Sequence, residues 1–220
     1  MSISKRLSIA WNGSDPYEDT DTLVLTGRTY FVDVRVIKGS NPPSLDWALA
    51  GTRTSTPGEK PGRVVTLPDV SLAPNTISLI HASGESFCKW HHLVDSRTSD
   101  GGTDEGVVFP HPSDPTKTME TGSMYNPATG RVEAYEEVWL DTDPPPGTQV
   151  AILEKENGSS FIAIIGDLRS CVGSGYAWRM EGGRAVYEIG QTEGMDIDLD
   201  QNLKEGSKVG SWIVREFWKT

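Results

Sequence analysis

The feature that most constrains this chain is the alternation of apolar and polar side chains with a period of two. It is clearest in the segment 29–37, whose two faces differ in polarity. One face carries Tyr30, Val32, Val34 and Val36, and the other carries Phe31, Asp33 and Arg35. Successive side chains of a β-strand point to opposite faces, so this spacing predicts a half-buried strand. The pattern recurs along most of the chain and predicts an all-β fold with little helix.

Turn residues between the apolar runs predict antiparallel pairing of neighbouring strands. Asn-Gly at 157–158 separates the apolar runs 150–153 and 161–165, and it favours a type I′ hairpin because both central residues take positive φ. Gly-Gly at 182–183 predicts a second hairpin. The chain has 23 Gly and 14 Pro among 220 residues, which disfavours a mainly helical fold.

The domain boundary is expected at the Pro-Pro-Pro-Gly run 144–147, which can continue neither a strand nor a helix. We therefore predict an N-terminal barrel-like domain over 1–143 and a smaller C-terminal barrel-like domain over 148–220. Helix is expected only in short pieces, over 195–206 and in part of 85–95. Many short strands between turns are typical of antiparallel sandwiches and barrels, and the pattern alone leaves both open.

The charge of the chain excludes one class of partner. Lys and Arg number 20 against 31 Asp and Glu, so the net charge is -11, and residues 61–144 hold 5 basic and 13 acidic side chains. A nucleic-acid partner would require a basic stripe, which the sequence lacks. The sequence also has neither an apolar run long enough for a membrane span nor a signal peptide. We therefore expect a cytoplasmic protein with no membrane partner.

Histidines and carboxylates concentrate around residue 90. Trp90, His91, His92 and Asp95 lie within six positions, and a histidine beside a carboxylate can act as a general acid or base. On a strand His91 and His92 point to opposite faces, so only one of them could line a given pocket. A surface or hydrogen-bonded histidine is the alternative. No spacing of His and Cys predicts a metal site, and no motif predicts a cofactor.

Glu136 is a second catalytic candidate. On the predicted strand it shares a face with Val132, Ala134, Val138 and Leu140. A carboxyl group buried among apolar neighbours has a raised pKa and can donate a proton; an interior carboxylate paired with an Arg or a backbone N–H is the alternative.

Aromatic residues supply the ligand-binding candidates, since several Trp could line a cavity or simply form the core. Asp46 and Trp47 precede the small-residue stretch 48–51, where a ligand or another backbone could approach closely. The other ligand-binding candidates are Trp90, Tyr125, Trp139 and Trp178.

Five motifs stand out along the chain: LDWALAGTRT, DEGVVFPHPSDP, YEEVWLDTDPP, FIAIIGDLRSCVGSGYAW and NLKEGSKVGSWIVREFW. They resemble motifs of the fungal Hri-one family, which is named for interaction with a casein-kinase-one homologue. The resemblance extends from about residue 5 to residue 218. It implies two consecutive lipocalin-like (calycin) antiparallel β-barrel domains, and it supplies no catalytic residues for particular positions.

Two functions from different classes follow from this pattern. The first is a calycin-like barrel that binds an apolar small molecule in an aromatic-lined cavity, with a cofactor-free cyclase or isomerase (pericyclase-type) of fungal secondary metabolism as its catalytic form. His91 or His92, Asp95 and Glu136 would carry that chemistry. The second is a non-catalytic acidic protein that docks a basic kinase or trafficking factor by electrostatic steering. The sequence leaves open whether the protein is an enzyme and what its oligomeric state is.

Overall fold

A computed structural model describes residues 1–57, 85–200 and 202–220. The fold is all-β, with fifteen strands and no helix in these ranges. The strands are β1 (Ser2–Trp11), β2 (Thr20–Thr26), β3 (Tyr30–Ile37), β4 (Leu45–Pro57), β5 (Ser86–Asp95), β6 (Gly102–Pro110), β7 (Lys117–Asn126), β8 (Arg131–Thr142), β9 (Gln149–Lys155), β10 (Ser160–Ile165), β11 (Leu168–Gly173), β12 (Tyr176–Glu181), β13 (Arg184–Ile189), β14 (Lys208–Val209) and β15 (Trp212–Lys219). The described residues hold no helical segment able to cross a membrane.

Strands β1 to β8 form a closed antiparallel barrel in chain order, and β8 pairs with β1 to close it. The prediction of an all-β chain built on an antiparallel barrel is therefore confirmed. β-Bulges interrupt β1 between Arg6 and Ser8 and the β4–β5 pairing between Ala50 and Gly51. At the second bulge a Cβ on Gly51 would lie 1.9 Å from the carbonyl oxygen of His91, so only glycine fits there. This is the close backbone approach expected for the stretch 48–51.

Strands β9 to β15 form a seven-stranded sheet in the order β13-β12-β11-β10-β9-β15-β14, in place of the second closed barrel that we predicted. Both predicted hairpins are confirmed, because β9 pairs with β10 and β12 pairs with β13. Gly182 and Gly183 both have positive φ. At the hairpin around 157–158 only Gly158 has positive φ. The connection from Lys155 to Ser160 is also too long for a two-residue type I′ turn.

The two predicted helical pieces are not helices. Residues 86–95 belong to β5, and the described residues of 195–206 form turns and irregular chain. Asp200 accepts a hydrogen bond from the backbone N–H of Asn202 (2.9 Å), a local bond that competes with helix formation. Met195, Ile197 and Leu199 instead pack against the C-terminal sheet with the spacing of an extended chain.

The C-terminal sheet packs one face against the outside of the barrel. The barrel side of this interface consists of Leu23, Leu25, Val32, Val34, Val36, Ala48 and Ala50, with Val94. The sheet side consists of Val150, Ile152, Phe161, Ala163, Ile165, Val172 and Ala177. The opposite face of the sheet buries Leu153, Ile162, Cys171, Trp178 and Trp212 beneath the segment that contains Ile197. Because both faces are covered in this way, the sheet buries its apolar surface without closing into a barrel.

A buried carboxylate joins the two sheets. Glu216 on β15 is 4% exposed and accepts backbone N–H bonds from Arg28 (2.8 Å), Thr29 (2.7 Å) and Tyr30 (3.1 Å) at the β2–β3 turn. A Cβ on Gly27 would lie 2.1 Å from Glu216 Oε2, so this turn requires glycine for the carboxylate to reach it. The C-terminal sheet therefore fixes a turn of the barrel directly.

Candidate functional site

The barrel contains a cavity of about 270 Å³ at the end where β1 begins and β8 ends. Inward-facing side chains from all eight barrel strands line it. Its apolar lining consists mainly of Val24, Phe31, Leu49, Trp90, Met124 and Trp139. Its main charged lining consists of Asp33, Arg35, Arg53, Asp104, Glu120, Glu137 and Asp141. An apolar wall and several charged groups therefore share one partly open cavity.

Buried ion pairs organise the deep part of the lumen. The Arg35 guanidinium donates to Asp33 Oδ2 through Nε (2.9 Å) and Nη2 (2.7 Å), and its Nη1 lies 3.8 Å from Glu137 Oε1. Arg6 donates to the same Glu137 oxygen (2.7 Å) and pairs with Glu18 (2.7 Å). Burial alone would lower the pKa of Arg35, but the charges of Asp33 and Glu137 outweigh it and raise that pKa. Both guanidinium groups are thus fixed as cations.

Glu120 differs from the other carboxyl groups of the lumen. It lies directly opposite Glu137 on the neighbouring strand, and directly opposed like charges are unfavourable. Burial, together with the charge of Glu137, raises the pKa of Glu120 to about 8, although the Tyr135 hydroxyl donates to its Oε1 (2.7 Å). Arg6 and Arg35 both lie against Glu137, and Glu120 is the member of the pair that keeps a proton at neutral pH.

Three buried polar atoms on lining side chains have no hydrogen-bond partner in the described part of the chain. They are Asp33 Oδ1, Arg53 Nε and Trp139 Nε1. Asp33 is 3% exposed and Trp139 is 7% exposed. Buried polar atoms are normally paired with protein or with water, so unpaired atoms on three walls of one cavity indicate what a bound molecule or ordered water would supply.

A second polar cluster inside the barrel surrounds His92. Its Nδ1 lies 2.8 Å from Asp95 Oδ2 and its Nε2 lies 3.3 Å from Asp104 Oδ2. Asp95 Oδ1 also accepts the indole N–H of Trp47 (2.8 Å) and the backbone N–H of Arg97 (2.8 Å). Burial would lower the pKa of His92, but the two carboxylates outweigh it and raise it to about 9. His92 is therefore a cation at neutral pH.

Comparison with known proteins identifies the family. A model of the family described as Protein HRI1 matches residues 2–187. The chain belongs to the HRI1 family. A crystal structure of an uncharacterized protein from Saccharomyces cerevisiae is similar, with a TM-score of 0.68 and 17% sequence identity, over 99% of this chain and 98% of that chain. At this identity the similarity shows a shared fold. No curated protein matches the sequence.

The predicted catalytic residues of this HRI1-family chain do not form one group. His92 and Asp95 are in contact, but His92 is already protonated and held between two carboxylates, which does not suit a general base. His91 is exposed on the outside of the barrel, with Nδ1 3.2 Å from Thr103 Oγ1. Glu136 is half-buried on the outward face of β8, and its neighbour Glu137 is the interior carboxylate. Glu136 is therefore not the buried carboxyl group that the sequence suggested.

The ligand-binding candidates are also divided between several places. Trp90 and Trp139 line the cavity. Trp47 packs in the same lumen against His92 and Arg35, whereas Asp46 pairs with Arg97 at 3.1 Å. Tyr125 is 56% exposed, and Trp178 is buried in the C-terminal sheet, away from the barrel. The polar half of the lining, made by Asp33, Arg35, Arg53, Glu120 and Glu137, was not predicted.

Proposed function

We propose that the HRI1-family barrel binds a small organic molecule that combines a flat apolar body with hydrogen-bonding groups. The observation that carries this proposal is the set of unpaired polar atoms on the cavity walls, Asp33 Oδ1, Arg53 Nε and Trp139 Nε1. One acceptor and two donors on side chains that line the same cavity match a ligand with groups of both kinds. Leaving buried polar groups unpaired costs about 1–3 kcal/mol each, so a molecule that pairs with them gains affinity.

The size of the cavity limits the ligand. A volume of about 270 Å³ corresponds to about nine water molecules at about 30 Å³ each. Ligand pockets more often lie between about 300 and 1,000 Å³, so the ligand is small. Phe31, Trp90 and Trp139 offer ring surface to its apolar body. The lining is more polar than the aromatic cavity expected from the sequence, and the proposed ligand is correspondingly more polar.

A catalytic form of the same function is favoured by one observation. Glu120 lines the cavity, holds a proton at neutral pH and accepts a hydrogen bond from Tyr135. A protonated carboxyl group on the wall of a ligand cavity is suited to general-acid catalysis, the step that a cofactor-free isomerase or cyclase requires. Glu120 thus takes the role that the sequence suggested for Glu136.

A fragment screen with two matched variants tests ligand binding. Molecules of about 8 to 15 non-hydrogen atoms, a size range chosen for the small cavity, are screened by ligand-observed NMR against wild-type protein, Trp139→Phe and Trp178→Phe. Trp139→Phe removes the free indole N–H in the cavity, whereas Trp178→Phe removes one that donates to the Glu193 carbonyl in the other sheet (2.7 Å). We expect hits that bind wild type and Trp178→Phe and bind Trp139→Phe more weakly. Hits unaffected by Trp139→Phe, or no hits, would contradict the proposal.

The catalytic form has a separate test. Glu120→Gln preserves the shape of the side chain and the hydrogen bond from Tyr135 but cannot transfer a proton. For any hit that wild type converts, we expect Glu120→Gln to bind the molecule and to lose about 10²–10⁴-fold in kcat. Unchanged turnover would exclude Glu120 as the proton donor.

A further inference from the structure

We infer that the ligand of the barrel cavity is a protonated primary amine carried on a small aromatic or similarly flat body. This inference rests on the proposed function, because it names the class of molecule that would occupy the same cavity. Three features of the lining support it: a free carboxylate oxygen, an excess of negative charge, and aromatic rings beside both.

The free carboxylate oxygen belongs to Asp33. Both N–H groups that Arg35 directs at this side chain go to Oδ2, which leaves Oδ1 unpaired within the described residues. A carboxylate can accept about four hydrogen bonds, and an ammonium group offers three donors. A charge-assisted bond between an ammonium group and a carboxylate is about twice as strong as a neutral one. Asp33 Oδ1 is therefore the atom best suited to an amine head group.

The charge of the lining also favours a cation. The cavity is lined by the carboxyl groups of Asp33, Asp104, Glu120, Glu137 and Asp141 and by the guanidinium groups of Arg35 and Arg53. Glu120 is neutral at pH 7, so four carboxylates face two guanidinium groups among the described lining side chains. Arg6 and His92 also contact this lining, but each brings a further carboxylate, Glu18 and Asp95, so the excess of two negative charges is unchanged. Arg35 is already paired with Asp33, which leaves Arg53 as the one guanidinium of the two without a carboxylate partner in the described ranges. An anionic ligand would gain Arg53 but would meet four carboxylates.

Aromatic rings are the third feature of the lining that favours an organic cation. Phe31, Trp90 and Trp139 line the cavity, and the faces of such rings attract cations within about 6 Å. Val24 and Met124 line the same space and can pack against the apolar body of the ligand. Carboxylates among aromatic rings are a combination that recognises organic ammonium ions better than hydroxyl compounds or acids of the same shape.

Glu120 gives the inference a pH signature. It is faced by Tyr135 and Glu137 from β8, by Arg35 from β3 and by Arg53 from β4, and Asp104 from β6 lines the same cavity. A cation brought into this cavity favours the ionised carboxylate, so its binding lowers the pKa of Glu120 and releases a proton. Amine affinity should therefore rise with pH as pH approaches about 8.

The test compares three probes that share one ring and differ in the head group: benzylamine, benzyl alcohol and benzoate. Their dissociation constants are measured by calorimetry at pH 6 and pH 8 with wild type, Asp33→Asn and Glu120→Gln. Benzylamine is expected to bind on the order of tenfold more tightly than either other probe. Its affinity is expected to rise on the order of tenfold from pH 6 to pH 8 in wild type and to stay constant in Glu120→Gln. Asp33→Asn is expected to weaken benzylamine selectively.

The outcomes separate this inference from the proposed function. If benzyl alcohol or benzoate binds as tightly as benzylamine, the amine inference is overturned while ligand binding stands. If none of the three probes binds and the fragment screen also fails, both are overturned. Should Asp33→Asn fail to fold because its pair with Arg35 is weakened, Glu120→Gln decides: a pH dependence of benzylamine affinity that persists in this variant overturns the inference.

Discussion

The barrel lumen and the faces of the C-terminal sheet bury different kinds of side chain. Asp33, Arg35 and Glu137 form buried ion pairs in the barrel lumen beside a cavity. The C-terminal sheet buries side chains such as Ile162 and Trp178, both 0% exposed, in an apolar layer on each face. Both sheets are built from antiparallel strands, so the strand pattern alone does not determine what a β-structure encloses.

The difference arises from which face of each barrel strand is covered. On β3, Val32 and Val34 point outward against the C-terminal sheet, while Asp33 and Arg35 point into the lumen. The apolar face of β3 is therefore the one on the outside of the barrel. The C-terminal sheet supplies the apolar burial that a barrel interior usually provides, and this leaves the lumen available for charges.

The largest expected effect on stability comes from truncating one tryptophan in each of the two regions. Trp178→Ala should lower the free energy of unfolding by about 3–5 kcal/mol, because it leaves a void in a fully packed layer. Trp139→Ala should cost less, about 2 kcal/mol, because the Trp139 ring already borders a cavity. Denaturant unfolding measures both values. Equal losses would contradict the distinction between a packed layer and a partly empty lumen.

The second prediction concerns the charges of the lumen. Arg35→Met leaves Asp33 and Glu137 without one of their cations and should cost about 3 kcal/mol at pH 8. The loss should be smaller at pH 5, since carboxylates without a cation take up protons more readily. The loss caused by Trp178→Ala should be the same at both values of pH. A pH-independent loss for Arg35→Met would show that packing, not charge, holds the lumen together.

His92 supplies the third prediction. Its pKa is raised from an unfolded value of about 6.5 to about 9, so its stabilisation is complete below pH 6.5 and is lost as pH rises through 9. Across this window the free energy of unfolding of wild type should fall by about 1–3 kcal/mol more than that of His92→Gln. His91→Gln, on the exposed neighbour, is the control and should follow wild type. Parallel curves for all three proteins would exclude a stabilising His92 cation.

The smallest expected effect on stability concerns the Glu216 hydrogen bonds that connect the C-terminal sheet to the barrel. Glu216→Gln keeps the shape of the side chain but weakens its bonds to three backbone N–H groups, and it should cost about 1–2 kcal/mol. Glu156→Gln removes an exposed pair with Lys208 and should change stability by less than about 0.5 kcal/mol. Thermal unfolding of the two variants checks the difference. Equal effects would mean that Glu216 is no more important than a surface carboxylate.

The sequence predicted the strands better than it predicted which way they face. The strand β3 and the hairpin at 182–183 follow from local chemistry, and both are present, although β3 is buried on both faces and not half-buried as predicted. The buried carboxyl group of β8 was misassigned to Glu136 because large apolar side chains lie on both faces of the strand, and the lumen accepts Glu137 beside Trp139. A rule that places apolar residues inside fails for a barrel with a charged interior.

The candidate site was only partly predictable because its contacts are long-range. The pair of His92 and Asp95 is local in sequence and was anticipated. Arg6 and Glu137 lie 131 positions apart, and no spacing signals that they meet. Asp33 and Arg35 were visible as polar positions on a strand, but their role depends on barrel closure, which places that face inside.

The hydrogen bonds from the backbone of residues 28–30 to Glu216 have a consequence for how the protein folds. Leu23, Val32 and Val34 lie on the outside of the barrel near that turn, and they would be exposed to solvent if the C-terminal sheet did not cover them. A chain severed between 143 and 148 would leave each fragment with an uncovered apolar face and no partner to satisfy it, a surface prone to aggregation. We therefore expect the two sheets to unfold as one cooperative unit, in a single thermal transition.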